Sequence, residues 1–158
     1  MITRPLNVGL VAHDATKAML AEWVAQNRDG LHTHRLYATG TTARVLAKAN
    51  PELDITALKS GPFGGDQQLG ALICEGRLDA LIFFQDPMTA QPHDVDVKAL
   101  VRMSTLYDVP LACNTATADL IITSPGFARL MDHRFDDRLG NWNKYLSRDV
   151  SNPEHGEA

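Results

Sequence analysis

The stretch NVGLVAHDATKAMLAEWVAQNRDGLHTHRLYATGTTARVLAKA, residues Asn7–Ala49, decides the reading of the fold. It opens with Asn7–Ala12, a nearly continuous apolar run that suits a strand buried on both faces of a parallel sheet. Ala15–Gln26 follows with Met19, Leu20, Trp23 and Val24 at helical spacing. A second apolar run, His34–Ala38, predicts a second strand, and Thr42–Ala49 a second helix. Strand, helix, strand, helix is the pattern of a doubly wound α/β domain.

Working outward, the alternation continues. Ile55–Leu58, Ala80–Phe84 and Val109–Ala112 predict three further strands, and Gln67–Glu75, Val95–Tyr107 and Ala116–Ile122 three further helices. In Val95–Tyr107 the residues Val97, Leu100, Val101, Ser104 and Leu106 fall near one side. Residues 124–140 are less regular, broken by Pro125, Gly126 and Gly140, and Trp142–Arg148 predicts a last short helix. The tail Ser151–Ala158 is polar, with Pro153 and Gly156, and is expected to fray, leaving one domain over residues 1–150. A chain of 158 residues fits that single domain.

The net charge of -4 argues against binding along a nucleic-acid backbone, which needs a basic face, but leaves a small anionic ligand open. Cys74 and Cys113 have neither metal-ligand nor redox-pair spacing and are expected to be buried free thiols in a reducing compartment. The first apolar run is too short to span a membrane and ends in His13-Asp14, not in a small-residue cleavage site. A cytoplasmic protein with no membrane partner is expected.

In open parallel sheets, ligands bind beyond the carboxyl ends of the strands. The segments there are His13-Asp14 with Lys17, then Thr39-Gly40-Thr41-Thr42, then Ser60–Gln68, then Gln85-Asp86-Pro87 leading to His93, Asp94 and Asp96, and finally Asn114–Thr117. Thr39–Thr42 and Ser60-Gly61 combine hydroxyls with backbone N–H groups at a helix start, which suits a phosphate. Ordinary N-capping by Thr39 or Ser60 explains either segment alone; the two together, with Lys17, favour an anion. Ser60–Gln68 holds three glycines and presents Asp66 at the start of the next helix, where it either caps the helix or serves as a reacting carboxylate. His13 and His93 each precede an aspartate on the same edge, whereas His32 and His34 lie at the opposite edge and read as structural. No His pair at i, i+4 and no Cys spacing points to a metal.

These motifs carry a resemblance. VAHDATK at Val11–Lys17, YATGTT at Tyr37–Thr42, SGPFGGDQQLGALI at Ser60–Ile73, FFQDP at Phe83–Pro87, PHDVDVKAL at Pro92–Leu100 and NTATAD at Asn114–Asp119 resemble the methylglyoxal synthases, in order and in register over about Asn7–Ser124. The segment after Leu146 matches weakly. The resemblance implies a three-layer α/β/α fold with a five-stranded parallel sheet, commonly assembled as a homohexamer. It implies a lyase that converts dihydroxyacetone phosphate to methylglyoxal and inorganic phosphate without metal or organic cofactor. Carried over by motif, Asp66 is the general base and His93 polarises the substrate carbonyl. His13, Lys17, Thr39, Gly40, Thr41, Thr42, Ser60 and Gly61 line the substrate and its phosphate, with Asp14, Asp86 and Asp96 as further carboxylates. Inorganic phosphate is then an expected competitor.

The chemistry suits those residues. Abstracting a proton next to a ketone needs a base tuned towards neutrality, and Asp14, Asp86 and Asp96 are expected to raise the pKa of Asp66 together with desolvation. Two rival readings stand beside it: a non-catalytic effector-binding domain of the same fold, which needs no base, and a phosphosugar isomerase using the same enediolate, which releases no phosphate.

Overall fold

The structure is a computed structural model that describes residues 4–127 and 140–148. Five parallel strands form one sheet in the order β3-β2-β1-β4-β5. They are β1 (Asn7–Ala12), β2 (Arg35–Thr39), β3 (Asp54–Leu58), β4 (Ala80–Phe84) and β5 (Leu111–Ala112). The helices are α1 (Lys17–Gln26), α2 (Arg28–Leu31), α3 (Gly40–Ala49), α4 (Gly65–Cys74), α5 (Asp94–Leu106), α6 (Thr115–Thr123) and α7 (Gly140–Leu146).

Side-chain alternation along the central strands splits the core in two. Val8, Leu10, Ala12, Ala80, Ile82 and Phe84 face α1, α3 and α6 through Leu20, Trp23, Val24, Ala43, Leu46 and Ala118. Val11, Leu81 and Phe83 point the other way and pack on Leu69, Leu72 and Ile73 of α4 and Val97 and Leu100 of α5. The result is the three-layer α/β/α, doubly wound, single-domain fold expected from the sequence. Burial on both faces explains the unbroken apolar runs of β1 and β4, and each fully buried Leu or Phe contributes about 1.5–3 kcal/mol. The sheet changes winding direction between β1 and β4, the position where ligand crevices open in such folds.

Several expectations need correction. Strand β5 is two residues, not four, because Pro110 has no N–H for the ladder and offers only its carbonyl, which accepts from Leu81 at 2.9 Å. His34 belongs to a turn rather than to β2, and its Nδ1 accepts from the Leu6 amide at 3.3 Å, a structural role. The segment before α1 winds as a 3₁₀ turn over Asp14–Thr16, and the short helix α2 was unforeseen. Met19, Val101 and Leu106 share their helices' apolar spacing yet are 49%, 37% and 44% exposed. Cys113 is exposed and Cys74 half-buried, so neither thiol is a core residue. Among the described residues, no helix is long and apolar enough to cross a membrane. The polar tail Ser151–Ala158 and the domain boundary at residue 150 lie outside the described residues.

Candidate active site

The carboxyl ends of β1 to β4 surround a cleft of about 270 Å³. His13 stands directly after β1. Its amide continues the ladder to the Phe84 carbonyl at 3.2 Å, which draws the side chain inward to 7% exposure. Its Nδ1 accepts from the main-chain N–H of Asp86 at 2.9 Å. An accepting Nδ1 places the ring proton on Nε2, and that buried atom has no protein partner and faces the cleft. Burial is the main cause that lowers the His13 pKa; His93 adds to it, while Asp86, Asp94 and Asp66 oppose it. The ring is therefore held as a neutral donor.

The opposite wall is built for an anion. Thr39 and Ser60 occupy N-cap positions, Thr39 before α3 and Ser60 before a 3₁₀ turn over Gly61–Phe63, yet neither side chain makes a capping hydrogen bond. The capping explanation thus fails for both. Asn114, which caps α6 by accepting from the Thr117 amide at 2.9 Å, shows the contrast. Gly40 has φ of 51°, and a Cβ there would lie 2.8 Å from Ser60 Cβ, so only glycine lets the two loops meet. Lys17 Nζ reaches across to Thr41 Oγ1 at 2.7 Å and to Asp14 Oδ1 at 2.5 Å. Uncapped helix N-termini, hydroxyls and an ammonium group meet on one side of the cleft.

The third wall carries Asp66 and His93. Gly64 takes the left-handed φ of 99° that turns the loop into α4, and a Cβ on Gly65 would lie 1.9 Å from the Lys59 carbonyl oxygen. Asp66 falls in the first turn of α4, only 4% exposed, and does not cap it. Its Oδ2 is buried without a hydrogen bond and lies 3.9 Å from Nε2 of His93, the residue preceding α5. Burial raises the Asp66 pKa; His93 opposes it, Asp96 adds to it and His13 opposes it. The His93 Nδ1 is likewise buried without a partner, and its ring centroid is 6.4 Å from that of His13.

The family model for the MGS-like domain matches residues 19–113. The methylglyoxal synthase of Oleidesulfovibrio alaskensis is 49% identical over 142 residues, covering 90% of this chain and 94% of its own. That of Erwinia tasmaniensis is 53% identical over 131 residues, covering 83% of this chain and 86% of its own. The chain belongs to the methylglyoxal synthase family. Among solved structures, the methylglyoxal synthase of Elizabethkingia anophelis superposes with a TM-score of 0.77 at 38% identity, covering 95% of this chain and 94% of that one.

Of the positions that the methylglyoxal synthase motifs single out, the cleft brings together His13, Asp14, Lys17, Thr39, Gly40, Thr41, Thr42, Ser60, Gly61, Asp66 and His93. Asp86 and Asp96 do not line it. The Asp86 carboxylate turns to the Met88 amide at 3.0 Å, and hydrogen bonds from Thr89 and Met88 lower its pKa. Asp96 accepts from Gln67 Nε2 at 2.9 Å. Asp14 is on the rim, its carboxylate 95% exposed and its pKa lowered by the hydrogen bond from Lys17. The expectation that all three carboxylates raise the Asp66 pKa is therefore corrected: desolvation leads, and Asp96 alone of the three contributes. Pro62, Phe83 and Gln91 also line the cleft. Gln91 lies in an irregular loop with no periodic signal, so nothing in the sequence marks it. Among the described residues, no group of three or more His, Cys, Asp or Glu side chains is gathered to hold a metal.

Proposed function

We propose that this chain is a lyase that converts dihydroxyacetone phosphate to methylglyoxal and inorganic phosphate, with Asp66 as its general base. The observation that carries the reading is the buried Asp66 carboxylate, unpartnered at Oδ2 and facing His93 across 3.9 Å, beside two uncapped anion loops. A carboxylate shielded in this way is a stronger base than one in water and is suited to take a proton from the hydroxyl-bearing carbon next to the ketone. The C–H electron pair moves into an enediolate, whose oxygen receives hydrogen bonds from His93, the carbonyl-polarising group, and from the Nε2–H of His13. The enediolate then expels phosphate by C–O cleavage, and the resulting enol ketonises to methylglyoxal. Expulsion is fastest when the breaking C–O bond stands parallel to the enediolate π orbitals. Lys17, Thr39, Gly40, Thr41, Thr42, Ser60 and Gly61 hold the phosphate in that orientation and stabilise the leaving dianion.

Asp14 steadies Lys17 at the rim, Asp86 acts on His13 through its main-chain N–H, and Asp96 biases Asp66 from outside the cleft. The reaction as written needs no metal or organic cofactor. We place the protein in the cytoplasm, where its phosphorylated substrate is made, and assign it a homohexameric assembly, with inorganic phosphate as a competitive ligand.

The decisive experiment is incubation with dihydroxyacetone phosphate, with free phosphate and methylglyoxal both measured. Equal yields of the two support the lyase. An aldose phosphate without free phosphate would mean an isomerase, and no turnover with tight phosphate binding would mean an effector-binding domain.

A further inference from the structure

We propose that Gly61 is a positioning residue: its missing side chain is the clearance that lets Asp66 reach the C–H bond while His93 reaches the neighbouring carbonyl oxygen. The proposal rests on the assignment of Asp66 and His93 above and adds a separate task for Gly61 beside its place in the phosphate loop.

Glycine is not required at this position by the backbone. Gly61 opens a 3₁₀ turn and lies outside the left-handed region, unlike Gly40, Gly64 and Gly76. An alanine adopts the same backbone without strain. What opposes it is space. A Cβ built on Gly61 would lie 3.0 Å from Asp66 Oδ2 and 3.1 Å from His93 Nε2, with His93 Cδ2 next at 3.5 Å. The three nearest atoms thus all belong to the two reacting groups, which are themselves 3.9 Å apart.

A methyl group there is wedged between carboxylate and imidazole. It presses on an oxygen that is buried and already lacks a hydrogen bond. Asp66 sits in the first turn of α4, whose Leu69, Leu72 and Ile73 are anchored in the core, so the helix resists displacement. The side chains must splay instead. None of the three nearest atoms belongs to the phosphate-holding groups Thr39, Thr42 and Lys17. The collision is therefore selective for the proton-transfer geometry.

The test is Gly61→Ala, with Gly70→Ala as control, since a Cβ on Gly70 of α4 meets nothing within 4 Å. In Gly61→Ala, kcat falls about a hundredfold while KM and the dissociation constant for inorganic phosphate stay within about threefold. The Gly70 control keeps both. A stability cycle supplies a readout independent of turnover: Gly61→Ala lowers the melting temperature in the wild-type background and lowers it less in Asp66→Ala, where the carboxylate is gone. A kcat within about threefold of wild type, or phosphate affinity lost in step with kcat, overturns the proposal. An equal melting penalty in both backgrounds overturns it as well. Should the wild-type protein make no methylglyoxal, the proposed reaction fails, and the stability cycle still decides whether Gly61 clears Asp66.

Discussion

The main-chain N–H of Asp86 donates to Nδ1 of His13 across 2.9 Å, and this bond fixes which ring nitrogen of His13 carries the proton. The donor is a peptide group in the loop just beyond β4, so the tautomer is set by the main chain rather than by a side chain that titrates. With Nδ1 occupied, Nε2–H is the only group the ring can offer to the cleft.

His13 should therefore still be neutral, with its proton on Nε2, at a pH below the ordinary histidine pKa of about 6.5. Nitrogen-15 NMR of the imidazole across a pH series measures this directly. The stability effect has a definite sign. A lowered pKa means the folded state binds fewer protons than the unfolded chain, so stability falls as pH drops from about 6.5 towards the folded pKa. His13→Ala should lower kcat by about a hundredfold, the usual cost of losing one oxyanion donor. An Nδ1–H signal at neutral pH would defeat the assignment.

Asp66→Asn should abolish turnover while inorganic phosphate still binds. It should also raise the melting temperature at neutral pH, because it removes a desolvated charge. The raised pKa means the folded state holds its proton longer than the unfolded chain. The wild type thus loses stability as pH rises from about 3.9 through the folded pKa, and the advantage of the Asn variant shrinks to nothing below that window. Full activity in the variant would sink the assignment of the base.

His93→Gln should slow kcat by about a hundredfold or more with a change in melting temperature of only a degree or two. No protein hydrogen bond to either ring nitrogen is lost, and the ring is partly exposed. A large fall in melting temperature with near-normal specific activity would make His93 a structural residue.

Inorganic phosphate should compete with substrate, raising apparent KM and leaving kcat unchanged. Lys17→Met should weaken both substrate and phosphate by about tenfold, the scale of one partly exposed charge-assisted hydrogen bond. A rate unaffected by saturating phosphate would dismiss the anion loops.

Sequence alone determined the strand–helix alternation, because burial on both faces of a parallel sheet writes each strand as an apolar run and each helix as an apolar stripe. It also located Asp66, His93 and the two Gly- and Thr-rich loops, since these residue types must follow strand ends to reach a ligand. It did not determine which groups act on which. Asp14, Asp86 and Asp96 are alike as letters, yet one is on the rim, one turns back onto its own loop and one pairs with Gln67. The glycine count of Ser60–Gln68 was legible, but its reasons were not: Gly64 turns the chain, Gly65 lets Lys59 approach and Gly61 leaves room for Asp66 and His93. Those distinctions, and the tautomer of His13, depend on distances between residues far apart in the chain. Local periodicity and composition do not encode such distances, and only packing the two helical layers onto the sheet decides them.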